Sequence, residues 1–182
     1  MESKKHKFYI FLDFDGVLND LKTIPAIFKL GGFFVNKKDT KVFNSESIYT
    51  LNSLISTLEH KYDVQLVLTT FWRKNPEKAR EILYTNGLEY LGKIDSIPFI
   101  SYQSRLSKIM DYIRKDELGE NYLIIDDKPK ITKYIIEKNL IKTNLINGAL
   151  NISQALNYID THHPDLSKYF PLGDFDFERN QD

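Results

Sequence analysis

Apolar residues along this chain fall into two alternating patterns. Short, nearly unbroken runs occur at Phe8–Leu12, Val64–Leu68 and Tyr122–Ile125. Runs of this kind read as strands buried on both faces, the habit of parallel sheets. Between them, apolar positions recur at helical spacing. One such stripe is Ile48, Leu51, Ile55, Leu58 and Tyr62, and a second is Ala79, Ile82 and Leu83. A third is Leu106, Ile109, Met110 and Ile113, and the last is Ile152, Ala155, Leu156 and Ile159. Polar residues mark the ends. Asn44 or Ser45 caps the first helix, Pro76 suits a first helical position, and Asn86-Gly87 suits a helix stop. The spacing predicts strands at 7–13, 64–68, 91–100, 122–126 and 140–145. It predicts helices from 45 to about 60, 76 to 86, 104 to 115, 131 to 138 and 152 to 159. Pro98 keeps the third strand off the sheet centre. Such alternation predicts an α/β fold, a mostly parallel sheet with helices on both faces.

Two stretches lack this order. Residues 16–44 hold Pro25 and Gly31-Gly32 and suit a short helix followed by a hairpin or loop. That length is too short for a domain of its own. Residues 161–182 suit an irregular, aromatic and acidic C-terminal tail whose Tyr169, Phe170, Phe175 and Phe177 pack on the domain surface or bind a partner. Its His162-His163 pair has no third ligand nearby and is expected in a solvated loop.

Composition narrows the class. At 182 residues the chain fits a single domain, 1–182, with a core of its own. Acidic and basic residues balance at 25 each, so no global field draws in nucleic acid. There is no cysteine, which excludes disulfides, thiolate metal sites and a cysteine nucleophile. No signal peptide is evident after Met1, and no apolar run approaches membrane-spanning length. A cytoplasmic protein with no membrane partner is expected, its oligomeric state open.

The chemistry lies where the strands end. Phe8–Leu12 runs into Asp13-Phe14-Asp15-Gly16, two carboxylates one residue apart. An unpaired buried carboxylate is costly, and the C-terminal edge of a parallel sheet is where such folds hold ligands. A divalent cation makes neighbouring carboxylates tolerable, and oxygen-only ligands suit Mg²⁺. Tyr122–Ile125 likewise runs into Asp126-Asp127, so two strands end in paired acids.

The stretch D-F-D-G-V-L-N resembles the first motif of the haloacid dehalogenase (HAD) superfamily of phosphohydrolases. Val64–Leu68 followed by Thr69-Thr70 is similar to the second motif, a hydroxyl at a strand end. T-T-F-W-R is similar to the S-S-x-W-R stretch of a HAD subfamily attached to RNA-repair modules. Arg105 sits where the third motif has its cation. That subfamily carries an acid three residues later, where this chain has Lys108, so Arg105, Lys108 or neither answers to the motif. Asp126-Asp127 resembles the fourth motif.

The resemblance implies a Rossmann-like sheet of order 5-4-1-2-3, with 16–44 a small flap or cap insert too short for a cap domain, so that the site is open. It implies a phosphatase in which Asp13 is the nucleophile and Asp15 the acid and base. Mg²⁺ would be held by Asp13, the Asp15 carbonyl, Asp126 and Asp127. Thr69 and Arg105 would stabilise the transferring phosphoryl group, with Thr70, Arg73 and Lys108 near substrate. Arg73 holds substrate phosphate or pairs with an acid, and Trp72 packs or stacks on a base. The substrate is a phosphorylated small molecule or a nucleic-acid end. The rival readings are a catalytically silent binding module on this fold and a phospho-accepting receiver, which the D-x-D-G spacing does not fit.

Overall fold

The computed structural model describes residues 5–20, 43–98, 104–127, 139–146 and 149–171. Its centre is β1, His6–Leu12, whose last five residues are all buried. β2 (Tyr62–Leu68) and β4 (Tyr122–Asp126) flank it, with β3 (Ile94–Ser96) and β5 (Leu140–Lys142) outside. The order is β3-β2-β1-β4-β5, and every pairing is parallel. This is the order the resemblance implied.

Side chains alternate across a strand, and β1 uses both faces. Phe8, Ile10 and Leu12 join a core built with α1 (Ser45–Glu59), α2 (Pro76–Thr85) and α4 (Ile152–His162). Tyr9 and Phe11 join a second core closed by Ile109 and Ile113 of α3 (Arg105–Lys115). Helices therefore cover both faces. Asn44, Asn75, Ser104 and Asn151 cap the four helices through their side chains, each satisfying an amide that has no partner within the helix.

Register places the site. Leu12 of β1 lies opposite Leu68 of β2 and Ile125 of β4. The next residues, Asp13, Thr69 and Asp126, therefore emerge side by side at one edge. The Thr69 amide bonds the Leu12 carbonyl at 2.9 Å, and the Asp13 amide bonds the Ile125 carbonyl at 3.1 Å.

Three features differ from the sequence expectation. Among the described residues, β3 and β5 are shorter than 91–100 and 140–145, and each pairs along one side only. The first part of the supposed irregular tail is helical: α4 runs to His162, a 3₁₀ turn spans Pro164–Tyr169, and Leu166 and Phe170 are buried. His163 is not in a solvated loop. It is 9% exposed and lies 5.6 Å from the ring centroids of Phe8, Tyr62 and Tyr158. The apolar stripe of α4 explains this, since position 163 follows Ala155 and Ile159 at four-residue steps on one helical face. Burial, and then the charge of Lys61, push its pKa down to about 4. The expected helix at 131–138, the tail beyond 171 and most of the insert lie outside the described residues. The two ends of the insert do meet, the Asn44 amide bonding the Leu18 carbonyl at 2.7 Å.

Candidate active site

Asp13 leaves β1 directly, and its side chain is fixed early. Oδ1 accepts from the Phe14 amide at 2.9 Å. The Phe14 ring turns into the core, 5.1 Å from the Phe43 ring. The next residue, Asp15, therefore faces outward and is exposed. The Phe14 carbonyl accepts from the amides of Val17 and Leu18, which closes a tight turn. Asn19 locks that turn. Its Oδ1 accepts from the Gly16 amide at 2.9 Å, and its Nδ2 donates to Asp15 Oδ1 at 3.1 Å.

Gly16 has φ of +80°, a conformation that L side chains rarely adopt. A Cβ there would lie 2.6 Å from Asp127 Oδ2. Glycine is what lets the Asp127 carboxylate come this close to the first loop. Asp13, Asp126 and Asp127 each offer one carboxylate oxygen, and these atoms lie within 4.8 Å of one another. Asp13 and Asp126 are 2% and 1% exposed. An all-oxygen donor set of this kind fits a hard divalent cation. The Asp15 carboxylate stands outside this cluster, beside Asn19.

Arg105 reaches in from the start of α3. Its Nη1 donates to Asp13 Oδ2 and, at 2.6 Å, to Asp126 Oδ2. Burial works against the guanidinium, but the charges of Asp13 and Asp126 outweigh it and raise its pKa. A cation in a first helical turn is ordinarily mildly unfavourable, and here the two aspartates reverse that sign. Lys108, one turn later, is also buried, and burial and the charge of Arg73 lower its pKa. Arg105 is thus a cation hydrogen-bonded to both strand-end aspartates.

On the other side of Asp13, Thr69 is fully buried, and among the described residues its Oγ1 has no hydrogen-bond partner. A buried hydroxyl without a partner costs on the order of 1–3 kcal/mol, which a ligand oxygen would relieve. Thr70 caps the following 3₁₀ turn (Phe71–Lys74), its Oγ1 accepting from the Trp72 amide. Arg73 has a use the sequence did not suggest. Its Nη1 donates to the carbonyls of Thr69 at 2.7 Å and Thr70 at 2.5 Å, bracing the end of β2. Burial and the charge of Arg105 lower its pKa. Trp72 packs against the core, 6.4 Å from the Phe14 ring.

Residues 9–150 match the family described as the HAD domain in Swiss Army Knife RNA repair proteins. The chain belongs to this family. No curated protein and no solved structure matches it.

As a HAD domain the chain is of the phosphohydrolase type in general. Its site spans positions 13 to 127, all within the matched residues. Two contributors escaped the sequence reading. Asn19 had only its place in D-F-D-G-V-L-N to mark it, and the Gly16–Asp127 approach joins residues far apart in the chain. Among the described residues, no helix is long and apolar enough to cross a membrane.

Proposed function

We propose that this HAD domain is a Mg²⁺-dependent phosphomonoesterase that works through an aspartyl-phosphate on Asp13 and takes a nucleotide or nucleic-acid end. One observation carries the reading. Three carboxylates from two strand ends converge on one point, with Arg105 across two of them and the unpartnered Thr69 hydroxyl on the neighbouring strand end.

Asp13, Asp126 and Asp127 would hold the cation, with the Asp15 carbonyl as a further ligand. When bound, Mg²⁺ supplies charge neutralisation for a dianionic phosphate approaching an anionic nucleophile. Asp13 uses one carboxylate oxygen to attack phosphorus while the bond to the leaving oxygen breaks. Asp15, set outside the cluster and steadied by Asn19, gives its proton to the leaving oxygen. It then takes a proton from the water that attacks the aspartyl-phosphate, releasing phosphate and restoring Asp13. Thr69 Oγ1 and the Arg105 guanidinium donate to the equatorial oxygens, which carry most charge in the transition state. Arg73 holds the Thr69–Thr70 backbone in register for this.

The test is phosphate release across nucleotides, nucleic-acid ends and sugar phosphates, with Mg²⁺ and with chelator. The wild-type protein should be active with Mg²⁺ alone. Asp13→Asn should be inactive, and Asp15→Asn should lose about 10²–10⁴ in kcat. Full Mg²⁺-dependent activity in Asp13→Asn would end the nucleophile assignment.

A further inference from the structure

Two buried side chains with unsatisfied polar atoms line one cavity at the far end of the sheet from Asp13. The cavity is about 290 Å³, and Tyr62, Asn121, Asn139, Tyr158, Thr161 and His163 help to line it. Tyr62 opens β2, while Asn121 and Asn139 immediately precede β4 and β5. Strands advance about 3.3 Å per residue, so the length of β1 sets this cavity roughly 20 Å from Asp13.

Asn139 is 3% exposed. Its Nδ2 donates to the carbonyls of Glu120 at 2.9 Å and Tyr122 at 2.6 Å, which fixes the orientation of the amide. Oδ1 is then an acceptor, and among the described residues it has no donor. His163 is buried at the end of α4, and among the described residues its Nε2 has no partner. Burial keeps that ring uncharged at neutral pH, its pKa pushed down to about 4. A neutral imidazole has one donor and one acceptor nitrogen. Buried polar groups are ordinarily hydrogen-bonded, so two unsatisfied ones from separate elements on one cavity call for a molecule between them. The charged residues of the wall, Lys61 and Glu120, are exposed and opposite in sign. The wall therefore brings no net charge, while Tyr62 and Tyr158 supply aromatic surface. Ligand cavities run from about 300 Å³ upward, so this one has room for a single ring system rather than a polymer.

We infer that this cavity binds an uncharged, amino-bearing heterocycle of nucleobase size, its exocyclic amine donating to Asn139 Oδ1 and its ring edge hydrogen-bonded to His163 Nε2. The inference is independent of the phosphatase reading, because it shares no residue with the Asp13 site and needs no phosphate.

The test uses the full chain with chelator and adenosine, which carries no phosphate for Asp13 to meet. Long-range ¹H–¹⁵N NMR spectra read the His163 ring nitrogens and the Asn139 side-chain amide directly. Adenosine should shift both sets of signals saturably. Purine riboside lacks only the exocyclic amine and should bind about tenfold more weakly, the cost of one unmade hydrogen bond. His163→Phe keeps an aromatic ring among Phe8, Tyr62 and Tyr158 and should weaken adenosine by a similar factor. If millimolar adenosine leaves the His163 and Asn139 signals unmoved, the cavity holds water alone and the site is overturned. Equal affinity for the two nucleosides, or wild-type affinity in His163→Phe, overturns it as well.

Discussion

Replacing Arg105 with Met keeps a long aliphatic side chain and removes the guanidinium that joins Asp13 to Asp126. Both carboxylates are buried, and the third, Asp127, lies close by. Removing one partner of a buried ion pair costs about 3–5 kcal/mol, mostly as the penalty of the charge left behind. The Arg105 side chain is 19% exposed, so some water reaches the gap. The loss should lie at the low end, about 3 kcal/mol. With a urea m-value of about 2 kcal/mol/M for a small domain, the unfolding midpoint should fall by about 1.5 M. A divalent cation is the other way to neutralise the same oxygens. A ligand at 100 times its Kd stabilises by about 2.7 kcal/mol, and the variant, more negative at this point, should bind Mg²⁺ more tightly than the wild type. Urea unfolding of both proteins, with 10 mM Mg²⁺ and with chelator, therefore has a defined outcome. Mg²⁺ should restore most of the lost midpoint in the variant and shift the wild type less. Adding Asp127→Asn to the variant should reduce that recovery. The reasoning is refuted if Arg105→Met unfolds at the wild-type midpoint, or if Mg²⁺ moves both proteins equally.

Three further outcomes follow from single contacts. Gly16→Ala places a Cβ 2.6 Å from Asp127 Oδ2 at a positive φ. It should cost about 1–3 kcal/mol of stability and weaken Mg²⁺ binding in calorimetric titration, and an unchanged Kd would show that Asp127 is not a ligand. Asn19→Ala frees Asp15 and the Gly16 amide, so kcat should fall about 10- to 100-fold through misplacement of Asp15, with little change in Mg²⁺ affinity; equal kcat would remove Asn19 from the mechanism. His163 is held near pKa 4, below its ordinary 6.5, so the folded state binds fewer protons than the unfolded state between those values. The stability it contributes above pH 6.5 is lost as pH falls toward 4, about 3 kcal/mol in all, and His163→Phe should flatten that part of the pH–stability curve in urea titrations at pH 7 and 4.5.

Much of this molecule was legible in its residues. The strands announced themselves because β1, β2 and β4 are buried on both faces, which forces near-continuous apolar runs. The helices were visible because each buries one stripe, and two of their starts were marked by Asn44 and by Pro76. The aspartates stood out because charge at the end of a buried strand is costly without a partner. Edge strands were overextended, since one-sided pairing leaves little pattern to read. His163 was misread because two adjacent histidines look polar in sequence, while the helical step from Ile159 decides that the second faces inward.

What sequence could not supply was distance. Leu12, Leu68 and Ile125 share one register only because β2 and β4 hydrogen-bond to β1, and that register alone sets Asp13, Thr69 and Asp126 side by side. Arg105 meets two of these strand-end residues because α3 starts at the same edge, across a separation that no local pattern encodes. Arg73 turns to its own backbone, Gly16 makes room for Asp127, and Phe71 stays outside while Trp72 goes in. The approach of Gly16 to Asp127 and the inward turn of Trp72 onto Phe14 are settled by packing among residues distant in the chain, where the physics is that of close contact and burial rather than of periodicity.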